Sequence, residues 1–243
     1  MDFLAIKTRK FTPPQDKGKL FELLDQYLPK LKEKDVVLVT SKIVAIDQGR
    51  FVPTRGGSAA GRKNFRLQLI KQEAEAYYQP NPSSITLKAH TLTPYAGIDR
   101  SNANGHYVFW PKAPHQTAKK IWEYLRRKHR IKNLGVIIAD STCHPMRYGH
   151  FGISIGFYGF RPVYWYEKQK DIFGRKLVHH CQNLVDALAA IGVIYMGEGP
   201  EQTPLLLIRG FPKIEFSAKA HLKEFLVDRQ DDLYAPLLGL LKK

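Results

Sequence analysis

The sequence predicts an α+β fold of mixed sheets and helices. Two observations carry this. Short apolar, β-branched runs such as Asp35-Val36-Val37-Leu38-Val39-Thr40 and Leu134-Gly135-Val136-Ile137-Ile138-Ala139 have the length of buried strands. Stretches with helical spacing lie between the strands, and the two kinds do not alternate strictly. With 243 residues, 44% of them hydrophobic, the chain can bury a real core as one large domain or two intimately packed ones.

Taken in order, Phe3 to Ile6 reads as a strand, followed by a turn at Pro13-Pro14. Leu20, Leu23, Leu24, Tyr27 and Leu28 fall at helical spacing. The run from Asp35 is a buried strand ending at Thr40-Ser41-Lys42. Residues 53–64, PTRGGSAAGRKN, read as loop. A helix is predicted from Phe65 to Tyr78, closed by Pro80 and Pro82, then a strand from Ile85 to His90. Ala113 to Arg130 reads as an amphipathic helix with Ala118, Ile121, Trp122 and Leu125 on one face. The strand Leu134 to Ala139 leads to Asp140, and the alternation in ISIGFYG predicts another from Gly152 to Tyr158. Leu177 to Gly192 reads as helix, Val193 to Met196 as strand, and Leu205 to Ile208 as strand. Beyond Ala218, the spacing of Leu222, Phe225 and Leu226 predicts a C-terminal helix. A polar turn at Asp231-Asp232 and an apolar end, Leu237 to Leu241, follow it. There is no internal repeat.

Composition narrows the class. No run approaches the roughly 20 apolar residues of a membrane-spanning helix, and MDFLAIKTRK has no signal-peptide pattern. The expectation is a soluble, cytoplasmic protein with no membrane partner. Cys143 and Cys181 are isolated, so free thiols are expected and a structural zinc site is not. The formal net charge of +16 attracts anions. Clusters such as Lys7-Thr8-Arg9-Lys10 and Arg126-Arg127-Lys128-His129-Arg130 suit a nucleic-acid surface, or a solvated face that draws phosphate-bearing small molecules. Charge alone does not choose. A basic, non-catalytic protein binding RNA or another polyanion is therefore the competing class.

Three apolar runs end in polar clusters: VVLVT before Ser41-Lys42, GVIIA before Asp140-Ser141, and VIYM before Gly197-Glu198-Gly199. Ligands of open α/β sheets bind beyond the carboxyl ends of strands. Asp140, Glu198 and Asp99, in the stretch GIDRSN, are hard oxygen donors of the kind Mg²⁺ takes together with phosphate oxygens and water. Ser141 offers a hydroxyl, Lys42 a point charge for a phosphate, and Arg147 a bidentate grip on phosphate or carboxylate. Taken singly, each acid reads first as a turn or cap former. No GxxxxGK[ST] phosphate loop occurs. His144 reads equally as an acid–base group or a plain loop histidine, and Cys143 serves as a nucleophile only beside a base. His179-His180 lack metal-site spacing. Trp110 and Trp165 are expected to pack in a core or interface.

The ordered set TSKIVAIDQGR, AGIDRSN, GVIIADSTCHPMRYGHFGISIG, DIFGRKL and MGEGPEQTP resembles the coenzyme F-420-0:L-glutamate ligase family, and most closely its branch of folate-metabolism γ-glutamate ligases. The resemblance covers residues 3–215. It implies a catalytic domain over 1–216 built of two interwoven subdomains, with residues 217–243 as a C-terminal helical tail, and an intertwined homodimer. It implies a GTP-dependent ligase that activates a carboxylate as an acyl phosphate and adds L-glutamate, in γ-linkage when a chain is extended. The acceptor would be an anionic carboxylate. Two divalent ions, Mg²⁺ or Mn²⁺, would serve the nucleotide, with room for a monovalent cation such as K⁺. By the same resemblance Asp99, Asp140, Ser141 and Glu198 ligate metal; Lys42 and Arg147 are the catalytic candidates, from the phosphate-binding chemistry of their side chains. Phe11, Thr12, Pro13, Pro14, Ser41, Lys42, Asn102, Met196, Gly197, Glu198, Gly199, Pro200, Glu201, Gln202 and Thr203 line the nucleotide. Arg100 would pair with a neighbouring acid or touch substrate. Two departures stand out. Where relatives read KIVSKAEGR this chain has Ile46 in place of a second Lys, and where they read DTFGRPWR it has DSTCHPMR.

Overall fold

The computed structural model describes residues 1–79, 81–82, 85–167 and 169–242. Its centre is a five-stranded sheet of β1 (Asp2–Ile6), β12 (Leu205–Arg209), β2 (Asp35–Thr40), β8 (Leu134–Cys143) and β9 (His150–Tyr158), in that order. Only β2 and β8 run parallel; the remaining pairs are antiparallel. Side chains alternate faces along a strand. Val37, Val39, Val136 and Ile138 therefore pack on one side, with α1 (Leu20–Tyr27), α2 (Ser41–Asp47) and α4 (Pro114–His129). Val36, Leu38, Ile137 and Ala139 pack on the other, against α5 (Leu184–Met196). Burial on both faces explains why these strands read as unbroken apolar runs.

A smaller layer includes α3 (Ala59–Glu73), which buries Leu69 and Ile70 in it. It holds the pair β3 (Phe51–Pro53) and β7 (His106–Val108), and the sheet β13–β4–β5–β6 of Leu241–Lys242, Ala76–Tyr78, Thr86–Lys88 and Thr91–Thr93. An arm of β10 (Val163–Trp165) and β11 (Cys181–Asn183) projects from the main sheet. Among the described residues no helix is long and apolar enough to cross a membrane.

Several expectations are corrected. Val193 to Met196 is the last turn of α5, not a strand: Leu188, Ala189, Gly192, Val193 and Met196 are buried at helical spacing. That helix begins at Leu184, not at 177, because the Asn183 side chain caps it by accepting the Asp186 N–H at 3.1 Å. Helix α3 begins inside the expected loop, where Ser58 accepts the Gly61 N–H, and it ends at Glu73. Ala76–Tyr78 is then a strand; Pro80, expected to close the helix, lies outside the described residues. The strand expected over 85–90 is cut by a turn at Ala89 and His90, both at positive φ, and returns as β6. The C-terminal stretch is not the expected helix. It holds a 3-10 turn at Leu222–Glu224, the four-residue α6 (Ala235–Leu238), and β13 added to the edge of β4.

Candidate functional site

Strand β8 runs past its parallel partner. The last β2–β8 pair is Thr40 with Ala139, and a register shift against β9 falls between Ile138 and Ala139. Asp140 and Ser141 thus stand beyond the end of β2, where α2 begins with Ser41 and Lys42. A cavity of about 540 Å³ opens there. It is lined by Phe11, Thr12, Ser41, Lys42, Asp99, Asn102, Asp140, Ser141 and the whole stretch 196–203. Thr8, Arg9, Lys10, Ser101 and Asn104 also line it; sequence reasoning noted the basic cluster at 7–10 without placing it here. Pro13 and Pro14 lie outside the lining.

Long-range contacts assemble the walls. The Lys42 ammonium donates to Asp99 Oδ2 at 2.6 Å, to the Ser101 carbonyl at 2.6 Å and to Ser101 Oγ at 3.0 Å. Asp99 Oδ1 accepts the N–H groups of Arg100 and Ser101. Burial works to raise the Asp99 carboxyl, but Lys42 and Ser101 outweigh it and hold it below the ordinary carboxylate range. Arg100 is exposed and forms no ion pair among the described residues, since Lys42 has taken the neighbouring acid. Asn102, at φ 51, donates to the Gly199 carbonyl at 3.0 Å and so joins the Asp99 loop to the 196–203 loop. In that second loop Gly197 sits at φ 77 with the Glu201 carboxylate packed on it, so a Cβ would collide. The Ser141 hydroxyl lies 3.3 Å from Glu198 Oε2.

Asp140 is the most perturbed acid. Its Oδ1 accepts the Ser141 N–H at 2.8 Å and its Oδ2 the indole N–H of Trp110. Burial pushes its carboxyl up to about 6, against these donors, the Ser41 hydroxyl and the Lys42 charge. Among the described residues no three His, Cys, Asp or Glu side chains gather closely enough to hold a metal by themselves.

Other candidates stand apart. Arg147 is exposed at the β8–β9 turn, donates to the Met146 carbonyl at 3.2 Å and does not line the cavity. Cys143 and His144, in the same region, are exposed and outside it too. Ile46, at the departure from the family pattern, is fully buried in the core rather than facing the cavity. Trp110 is buried as expected, but sequence reasoning missed its bond to Asp140. Trp165 lies on the projecting arm and is 37% exposed. His179 and His180 are exposed in the segment before β11.

A family model described as F420-0:Gamma-glutamyl ligase matches residues 15–210. The chain is 32% identical over 193 residues to the coenzyme F420:L-glutamate ligase of Methanosarcina mazei, covering 74% of this chain and 75% of that protein. It is 29% identical over 203 residues to that of Methanocaldococcus jannaschii, covering 79% and 80%. To one from Methanococcus maripaludis it is 28% identical over 227 residues, covering 88% and 90%.

Proposed function

The chain belongs to the F420-0:gamma-glutamyl ligase family, and from that premise we propose that it joins L-glutamate by an amide bond to a carboxylate-bearing cofactor or metabolite at the expense of GTP. One observation carries the reading: Lys42, Asp99, Asp140, Ser141 and Glu198 converge on a single cavity at the carboxyl end of the parallel strand pair.

In the proposed reaction an oxygen of the acceptor carboxylate attacks the γ-phosphorus of GTP. The bond to the bridging oxygen breaks, GDP leaves and an acyl phosphate forms. The amine of glutamate then attacks the acyl carbon, the amide forms, and phosphate and a proton leave. When the chain is extended, the linkage is through the γ-carboxylate. Phe11, Thr12 and residues 196–203 hold the nucleotide, and Asn102 fixes the two loops that close over it. Lys42 neutralises phosphate charge from the first turn of α2.

The donor chemistry fits two divalent ions. Mg²⁺ is typically held by one or two carboxylates with phosphate oxygens and water, so a site that gathers no three acids still suffices once the nucleotide is present. Asp99 and Asp140 would hold one ion, and Ser141 with Glu198 the other. Mg²⁺ or Mn²⁺ bound there would draw charge from the transferring phosphoryl group. A homodimer belongs to the same proposal. Met146, Tyr148, Ile172 and Phe173 are almost fully exposed near the β8–β9 turn and on the arm, which suits pairing with a second copy.

The test is calorimetric titration with GTP and with ATP, each with and without Mg²⁺ or Mn²⁺. Binding of GTP that requires metal, and its loss in a folded Asp140→Asn variant, is the expected result. No binding in any combination by folded protein would overturn the proposal.

A further inference from the structure

We propose that Trp110 is a positioning residue for this site, one that sets the orientation of Asp140 and ties it to the loop carrying Asp99. The inference rests on the ligase reading above. Its geometric basis is independent of sequence proximity, because Trp110 and Asp140 are 30 residues apart.

Asp99 and Val108 form an antiparallel bridge, with the Asp99 N–H on the Val108 carbonyl at 3.0 Å and the Val108 N–H on the Asp99 carbonyl at 2.8 Å. That register places Gly97 opposite Trp110. Gly97 lies at φ 69, and any Cβ there would collide with the indole. The indole therefore packs directly on the backbone that enters the Asp99 loop. The ring atom nearest Gly97 is Nε1, and the same N–H donates to Asp140 Oδ2. One planar side chain, 3% exposed, thus touches Asp140 and the backbone two residues before Asp99, the two acids assigned to one ion. The backbone of Trp110 is fixed in turn: its carbonyl accepts from Arg50 Nε at 3.3 Å, and Arg50 is paired with Glu73 at 2.6 Å. A rotamer locked in this way by packing and hydrogen bonding is what orients a ligand carboxylate. Phe at this position removes the donor and keeps an aromatic ring there, with some loss of packing from the smaller side chain.

The experiment reads the indole N–H groups of the full-length wild-type protein by ¹H–¹⁵N NMR. The chain has three Trp residues, so three indole signals are expected. The Trp122 N–H is held on the Leu134 carbonyl at 2.8 Å, and Trp165 lies on the arm. Trp110→Phe assigns the remaining signal by its disappearance. Adding Mg²⁺ with GTP should move the Trp110 signal more than the other two. The Trp110→Phe variant should bind Mn²⁺ in the presence of nucleotide about 10–100-fold more weakly, read by electron paramagnetic resonance. A Trp110 signal that stays put while metal and nucleotide bind overturns the inference, as does a variant that binds Mn²⁺ like the wild type. Should the variant not fold, the nuclear Overhauser effect from the Trp110 indole N–H to Gly97, against which Nε1 lies, assigns the signal, and the wild type decides alone. If the wild type binds neither metal nor nucleotide, the ligase reading falls and the positioning role falls with it, so the two failures are told apart.

Discussion

At the scale of single residues, the Lys42–Asp99 contact determines how the site meets a cation. All three ammonium hydrogens have acceptors, on Asp99 and Ser101, and Asp99 Oδ2 also accepts the Ser101 hydroxyl at 2.6 Å. The ammonium sits on Asp99 Oδ2 at 2.6 Å, and on the proposed function a divalent ion would compete with it there. On the proposed function a phosphate would compete for Lys42 and draw it away. Two opposite effects follow for Lys42→Met. Mn²⁺ binding without nucleotide should tighten about tenfold, equivalent to ~1.4 kcal/mol, because an opposing charge is gone. Nucleotide binding should weaken. Mn²⁺ titration followed by electron paramagnetic resonance checks the first effect; weaker or unchanged metal binding would count against this picture.

At the scale of elements, Glu73 joins three of them. It ends α3, and its carboxylate accepts from Arg50, just before β3, at 2.6 Å and from Lys88 at the end of β5. Arg50 also lies over the Phe109 ring, 4.9 Å from its centroid. Burial works to raise the Glu73 carboxyl, but Arg50 and Lys88 outweigh it and hold it below its ordinary 4.5. The sign follows by linkage. A depressed carboxylate contributes stability above its unfolded value, and that contribution is lost as pH falls through the folded value, below 4.5. Glu73→Gln should lower stability at neutral pH by about 1.5–3 kcal/mol, the range for hydrogen bonds to charged groups. It should also flatten the loss between about pH 5 and about pH 3. Urea unfolding across that range is the measurement; an unchanged slope in the variant would assign the acid sensitivity elsewhere.

At the scale of the whole molecule, the C-terminal stretch acts as a strap. It lies beyond the 15–210 match to the family model. His221 bridges Ser217 Oγ at 2.8 Å and Glu224 Oε1 at 2.9 Å, and Glu224 accepts from Arg161 at 2.9 Å. Leu222 and Phe225 pack on the α5 side of the main sheet, whereas Leu238 and Leu241 join Ala76 and Leu87 in the smaller layer. The strap therefore connects the two layers whose loops meet at the cavity. Removing residues from 235 onward should speed amide exchange in β4, β5 and β6 by at least about tenfold, ~1.4 kcal/mol of local opening, and leave β2 and β8 protected. Equal acceleration in all five strands would show a general loss of stability instead. Part of the +16 charge also has a place in the fold. The basic run ending α4 lies at a helix C-terminus, where cations are favoured, with Lys128 paired to Asp25 at 2.5 Å and Arg126 over the Trp122 ring.

The sequence by itself determined the elements whose signal is local. Asp35–Thr40 and Leu134–Ala139 are legible because burial on both faces demands an unbroken apolar run. Ser41-Lys42 and Asp140-Ser141 are legible as site candidates because they follow those runs. The same signal misread VIYM, since periodicity alone does not separate a short buried strand from the end of a buried helix. It also missed the turn at Ala89-His90 and the irregular C-terminus, where pairing with distant strands outweighs local spacing. Only the tertiary structure decided which side chains meet. Lys42 reaches Asp99 across 57 residues, and Asn102 reaches Gly199 across 97. Trp110 reaches Asp140 across 30. Arg147, near Asp140 in the chain, remains outside the cavity. The reason is physical: a strand's periodicity fixes which way its side chains point, but the distance between two loops is fixed by how the layers pack, and no local pattern encodes that.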